Sequence, residues 1–344
     1  MSDFKLKDLS PQITLLEMAE AYRVSIALKT IAELGIADLL KDSAKTCKEL
    51  AQATATHESS LYRLLRAMIS KGIFRENHLG CFENTPLSEA LCTDAPNSVR
   101  DSVRFISVDG NIQAWMRLSD VIKTGNPSYQ DATGFNSWEY RQHYPEIGEL
   151  FNRHMSIFTS DSDQILNCYD FSAFKSIVDI GGGIGVLLQK ILEFNHEITG
   201  ILFDIPSVIK QAITHFKESE ITNRIELIEG DFFKKIPSGY DAYILKHVLH
   251  NWSDYEVCQI LERCREAIPD QGKLIILETI MPHQGNKPDP SQWADLHMMV
   301  TLGGRERTEK EYNALLSQAN FKLTQIRNIP NSFSELIEAI PICL

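Results

Sequence analysis

The sequence predicts an α/β protein: a doubly wound, mostly parallel sheet with an antiparallel edge hairpin, preceded by a smaller, mainly helical domain. Three observations predict it. From residue 171 onward, short apolar runs alternate with stretches of helical periodicity, the rhythm of strand–helix–strand units. The first of those runs ends in the turn Gly181-Gly182-Gly183-Ile184-Gly185, which lets backbone approach a ligand at the carboxyl end of a strand. The first hundred residues show a helical period instead, followed by a single hairpin signal. The 344 residues leave room for two or three domains of roughly 100–200 residues each. We set the divisions at 1–100, 101–170 and 171–344.

Composition narrows the function classes. Hydrophobic residues make up 43% and charged residues 23% of the chain, which suits a globular protein and not a disordered one. Lysine and arginine number 34 against 46 aspartates and glutamates, a net charge of −12. That balance opposes nucleic-acid binding, which needs clustered cations against phosphate. No segment approaches the roughly 20 apolar residues of a membrane span. The opening MSDFKLKDLS lacks the apolar core of a signal peptide. Seven cysteines without a CxxC pair argue against a disulfide framework or a structural zinc site. Cys343, next to last, does not stand where a prenylation box needs it. A cytoplasmic, reduced protein is expected, with neither membrane nor nucleic acid among its partners.

The elements follow in order. Apolar residues recur at helical spacing between Ile13 and Leu40, through Leu16, Ala19, Val24, Ala27, Leu28, Ile31 and Leu34, with Gly35 as a break. Thr46 and Glu49 form a capping box, opening a short helix to about Thr54. A second helix starts near Glu58, buries Leu61, Leu64, Leu65 and Met68, and stops at Gly72. Residues 73–75 and 81–84 flank Asn77-His78-Leu79-Gly80 and read as a hairpin. Helix, helix, hairpin is the order of a winged helix, which serves either DNA or protein contacts. Residues 1–100 hold 12 cations and 13 anions, so the protein-interaction module is favoured over a DNA regulator.

Residues 101–160 hold nine of the chain's 30 aromatics. Most belong to a core or interface, and a few would line a flat apolar pocket. Asn126-Pro127 and Thr133-Gly134 predict a loop over 125–135. Strands are then expected at Ile177–Ile180, Ile198–Asp204, Ile225–Glu229, Ala242–His247 and Lys273–Ile280. A helix fills Val186–Phe194. Another opens at the capping box Ser253/Glu256 and buries Val257, Ile260, Leu261 and Cys264. Phe321–Ile329 and Ser334–Pro341, with no helix between them, close the sheet as an antiparallel edge.

The glycine loop selects the cofactor. A dinucleotide fingerprint needs a third Gly or Ala where Val186 stands. The spacing from Asp179 is D-x-G-x-G-x-G, the form found in S-adenosylmethionine enzymes. Asp204 lies at the end of the second strand, where a carboxylate can take both ribose hydroxyls. Asp231 and Phe232 follow the third strand, suited to an adenine amine and a purine face. Singly, each aspartate reads as a turn residue; three such groups at consecutive strand ends make a cofactor site.

The fourth and fifth strands carry the ionisable groups. His247 still belongs to its apolar strand and reads as a satisfied core group, whereas His250, at the strand-to-helix junction, reaches the crevice. Glu278 ends the apolar run Leu274-Ile275-Ile276-Leu277, so its carboxylate is either paired or functional. Glu306 either pairs with Arg305 or Arg307, or stands as a second carboxylate beside His250. Metal ligation by one histidine and two glutamates is the competing reading; no metal is expected.

Together VDIGGGIG (178–185), LFDIP (202–206), GDFF (230–233), LKHVLHNWSD (245–254), LETIMP (277–282) and GGRERT (303–308) resemble the plant-type S-adenosylmethionine-dependent O-methyltransferases, the caffeate, flavonoid and acetylserotonin group. The likeness spans nearly the whole chain. It implies a class I methyltransferase domain after a winged-helix dimerisation domain, a homodimer, and methylation of a hydroxyl on a small aromatic acceptor in secondary metabolism. Carried over by motif, Gly181, Asp204, Asp231, Phe232 and Lys246 would hold the cofactor. His250 would be the base, flanked by Glu278 with Glu306 on the opposite side. Asn152 and Met155, on a helix over the acceptor pocket, and Asp295 and Met298 would face the acceptor. Many members have Asp after the catalytic histidine where this chain has Asn251, so the acceptor's orientation does not carry over. A relative that binds the cofactor but performs other chemistry or none is the alternative.

Overall fold

Ser10 caps the first helix by accepting from Ile13 N–H, and Pro11 sits where a missing N–H costs nothing. The computed structural model describes residues 10–157, 161–282, 288–332 and 334–342, without the side chains of 156 and 157; Cys343 and Phe158 lie outside them. The helix runs Pro11–Leu34 and ends at Gly35, whose φ of 64° lets the chain turn left-handed. The two expected helices follow at Cys47–Ala53 and Glu58–Ile69, the first opened by the Thr46/Glu49 capping box. Strands β1 (Lys45–Thr46), β2 (Phe74–Glu76) and β3 (Cys81–Asn84) form a small sheet in the order β1-β3-β2. Leu61, Leu65 and Met68 pack onto Leu50, Phe74 and Phe82 in one core, and Leu64 is half-buried.

The chain forms two units, residues 1–109 with 146–157, and residues 110–145 with 158–344. The helical stretch 101–170 contributes to both. Within the second unit the expected loop at 125–135 contains one helical turn, Tyr129–Thr133, because left-handed Gly125 and Gly134 cap helices on either side of the break.

The second unit is built on β4 (Ser176–Ile180), β5 (Thr199–Asp204), β6 (Ile225–Glu229), β7 (Ala242–Lys246), β8 (Lys273–Glu278), β9 (Phe321–Asn328) and β10 (Glu335–Pro341). Their order is β6-β5-β4-β7-β8-β10-β9, and β10 alone runs against the direction of the other six. Tyr243, Leu245, Leu274 and Ile276 face one core; Ala242, Ile244, Ile275 and Leu277 face the other. This period-two division, with both faces covered, is why these strands read as continuous apolar runs. Strand order reverses between β4 and β7, so a crevice opens beyond their carboxyl ends. Among the described residues no helix is long and apolar enough to cross a membrane.

Candidate active site

The glycine loop leaves β4 with Gly181 N–H still bonded to Phe203 O, at 2.8 Å. A Cβ on Gly182 would stand 2.4 Å from the Asp179 carboxylate and 2.7 Å from Leu202, so only glycine passes there. The loop in turn aims Asp204: Oδ2 accepts from Gly183 N–H at 2.9 Å and Oδ1 from Ile205 N–H at 2.7 Å. Burial raises the Asp204 carboxyl to about 6 despite those two bonds. Asp231 Oδ1 accepts from Phe233 N–H at 3.0 Å, and its other oxygen meets Lys234 Nζ at 3.2 Å. The Phe232 ring lies against the Gly181 backbone and meets Trp252 edge-on at 6.0 Å. Lys246 Nζ is bonded to buried Asp161 Oδ1 at 2.5 Å, and burial lowers its pKa.

One residue of this cluster escaped the sequence reading. Asp179 is 1% exposed, and its Oδ1 has no hydrogen-bond partner among the described residues. Burial, then the nearby Asp204, pushes it up to about 7. A carboxylate orphaned this deep fits a cationic ligand group, and S-adenosylmethionine carries two, an ammonium and a sulfonium. The signal was its leading place in the D-x-G-x-G-x-G spacing, masked by an ordinary strand position.

At the end of β7 a 3-10 turn, Leu249–Asn251, presents His250. Its Nδ1 is 3.0 Å from Glu306 Oε1 and 3.5 Å from Glu278 Oε2. Glu278 is fully buried, and its Oε1 accepts from Leu249 N–H at 2.7 Å and His250 N–H at 3.3 Å. This corrects the expected arrangement. The carboxylates do not bracket the ring from opposite sides; both approach Nδ1, and Glu306 makes the hydrogen bond. The reason is local: β8 ends directly beneath the 3-10 turn, whose N–H groups claim Glu278. Burial alone would lower the His250 pKa, but Glu278 and Glu306 outweigh it and raise it to about 9. Among the described residues its Nε2 has no hydrogen-bond partner.

The salt-bridge reading of Glu306 does not hold. Arg305 and Arg307 pair with Asp254 and Glu311 instead. Arg307, wholly buried, donates to Leu249 O at 3.0 Å, Trp252 O at 2.7 Å and Asp254 Oδ1 at 2.9 Å. Gly304 passes so close beneath the turn that a Cβ there would lie 2.1 Å from His250 O. Asp295 Oδ1 accepts from Glu306 N–H at 2.9 Å, and burial raises its pKa. Met298 is half-buried on the same helix, Ser291–Thr301. Asn152 and Met155, also half-buried, are on the helix Pro145–Ile157 of the first unit.

His247 has a φ of 53°, its Nε2 3.0 Å from Ser334 Oγ. Burial, with His250 and Lys246 nearby, holds its pKa well below the ordinary value. His247, His250 and Glu278 bring ligand atoms within 4.8 Å of one another, so three potential metal ligands do converge. Asn251 answers for the departure from the family pattern: its Nδ2 donates to His247 O at 3.0 Å and Val248 O at 3.2 Å. A carboxylate there cannot donate. Asn251→Asp is expected to lower stability by roughly 1–3 kcal/mol in urea unfolding; an unchanged midpoint would remove Asn251 from this role.

Comparison with known proteins shows the family. Residues 115–322 match the model of the O-methyltransferase domain, and residues 16–94 that of the O-methyltransferase dimerisation domain. The chain is 36% identical over 329 residues to a phenazine O-methyltransferase of Lysobacter antibioticus, covering 95% of this chain and 96% of that one. It superposes on an O-methyltransferase from neocarzinostatin biosynthesis, solved with S-adenosylmethionine and 2-hydroxy-5-methyl naphthoic acid, with a TM-score of 0.83 and 29% identity over 93% and 96% of the two chains. Human N-acetylserotonin methyltransferase in complex with S-adenosylmethionine gives 0.88 at 26% identity, over 98% and 99%.

Proposed function

The chain belongs to the O-methyltransferase family, and on that premise we propose that it methylates a hydroxyl of a small aromatic acceptor, with His250 as general base. The enzyme is S-adenosylmethionine-dependent. The observation that carries the proposed base is the Glu306–His250 pair, which leaves Nε2 uncommitted. Bound S-adenosylmethionine supplies a methyl group made electrophilic by its sulfonium. The residues do the rest. Glu306 keeps the His250 proton on Nδ1, so Nε2 can take the acceptor's hydroxyl proton as oxygen attacks the methyl carbon and the carbon–sulfur bond breaks. Glu278 and Glu306 then stabilise the imidazolium. Asp204 holds the ribose diol, Asp231 and Phe232 the adenine, and Gly181, Lys246 and Asp179 the methionine end. Asp295 and Met298 face the acceptor.

A methyl-transfer screen over catechols, flavonoids, indoles, phenazinols and polyketide phenols tests the reading. Methylated product on one of them is expected; cofactor binding with no product anywhere would favour the relative with other chemistry. The naphthoic acid bound to one relative and the phenazine named for another support a fused-ring acceptor. Chelators are expected to leave turnover unchanged, because Glu306 already occupies His250 Nδ1 and the reaction needs Nε2.

Asp204→Asn removes a charged acceptor and should weaken S-adenosylmethionine binding about 10- to 150-fold. Calorimetry with unchanged affinity would take Asp204 out of the site.

The helix Pro11–Leu34 leaves Ile13, Leu15, Leu16, Met18, Tyr22 and Ile26 exposed, between 40% and 67%, within or beside the matched dimerisation region. An apolar face of that size needs a partner. A homodimer burying more than about 2,000 Å² is expected, and a one-chain mass by light scattering at micromolar concentration would contradict it.

A further inference from the structure

A second imidazole in the methyltransferase unit is held as firmly as His250 and has no place in the chemistry so far. His297 lies on the helix Ser291–Thr301, between Asp295 and Met298. Its Nδ1 is 2.9 Å from Trp115 Nε1, and the two ring planes lie within 17° of each other, with centroids 6.1 Å apart. An indole N–H only donates, so Nδ1 is the acceptor and the ring proton sits on Nε2. Burial, then the positive charges of Arg141 and His250, holds His297 down at about 4. The ring is therefore neutral at working pH, with one fixed N–H to give. Among the described residues no group takes it. Among the described residues Nε2 is not one of the sealed, unpartnered polar atoms. From this helix Asp295 reaches the backbone of Glu306, and Glu306 holds His250. Residues 294–299 are all half-buried.

We propose that His297 is a specificity-determining residue: its Nε2–H, fixed by Trp115, donates to a hydrogen-bond acceptor on the substrate ring, so the preferred acceptor is a fused hydroxyarene carrying a ring nitrogen or carbonyl. This rests on the aromatic O-methyltransferase reading above. The donor stays put because protonating Nδ1 would break the bond to Trp115 and leave a buried cation. A purely carbocyclic phenol leaves that N–H dry and unpaired, which costs affinity.

The test compares two acceptors of one shape, phenazin-1-ol and 1-anthrol, in which CH replaces the ring nitrogens. Dissociation constants are measured on the dimer loaded with S-adenosylhomocysteine, and kcat/KM with S-adenosylmethionine. The wild type is expected to prefer phenazin-1-ol about 10- to 100-fold in both. His297→Phe should bring both ratios close to one, and His297→Gln, which keeps an N–H donor, should restore part of the preference. Nitrogen NMR of the wild type should show His297 as the neutral Nε2–H form down to about pH 5. A wild type with no preference for phenazin-1-ol, a His297→Phe ratio equal to the wild type's, or a His297 ring that titrates near 6.5 overturns the inference. Failure of the underlying reading looks different: the binding preference stays and no methyl is transferred.

Discussion

His250→Ala is expected to lose about 10²- to 10⁴-fold in kcat, the usual worth of general base catalysis, with S-adenosylmethionine affinity nearly unchanged. A phenol with pKa near 10 is mostly protonated at neutral pH and attacks poorly until its proton has somewhere to go. Among the described residues of this site, the His250 imidazole offers an acceptor nitrogen, Nε2, with no hydrogen-bond partner. What remains in the variant comes from holding oxygen, carbon and sulfur in line. The pH profile carries a second expectation. With His250 raised to about 9 by its two carboxylates, the free enzyme holds the base protonated below that pH. kcat/KM should therefore climb through neutrality and level near 9, not near the 6.5 of an ordinary histidine. Glu306→Gln and Glu278→Gln each remove one raising charge, so each should shift the acidic limb to lower pH. Full turnover by His250→Ala on the best acceptor found would end this mechanism.

Arg307→Met is expected to cost roughly 3–5 kcal/mol of stability, because it strips the donor from a buried charged network. The Asp254 end of that network is 52% exposed, so most of the loss comes from the carbonyls of Leu249 and Trp252, left without their guanidinium donor. Leu249 opens the catalytic turn and Trp252 follows it, and Glu306 is the residue before Arg307. One side chain thus sets the base and its carboxylate in register. Arg307→Lys should restore less than half the stability, since an ammonium lacks the planar fork. On the folded fraction kcat should fall while cofactor affinity holds. A Met variant as stable as the wild type in urea would show that the turn holds itself.

The strands and their order of appearance were legible in the sequence because two-sided burial writes continuous apolar runs, and capping boxes at Thr46 and Ser253 marked helix starts. Boundaries ran one or two residues long at the ends of β7 and β8, where His247 and Ile280 are apolar enough in context to pass for strand but already turn toward the site. The positions of His250, Glu278 and Glu306 were readable; their mutual geometry was not. Which carboxylate binds Nδ1 depends on how β8 meets a 3-10 turn, and no spacing encodes that. Asp179 hid inside a strand pattern, and Trp115 meets His297 across 182 residues of chain. The helical turn at Tyr129–Thr133 hid between two glycines that read as loop.

The place of β10 has a consequence for how the enzyme is made. This strand is synthesised after β8 and β9, yet it lies between them, with Glu335 opposite Glu278 and its carboxylate accepting from Ile280 N–H at 2.9 Å. A nascent chain that has released everything through β9 still presents β8 as a bare edge, apolar on both sides through Leu274, Ile275, Ile276 and Leu277. Such an edge is a template for pairing with another chain. The first unit's main core closes locally, from residues 31–92, but the strand that carries Glu278 waits for the last element to arrive. Until then the growing chain is both inactive and sticky, and loss of β10 should convert a catalyst into an aggregate.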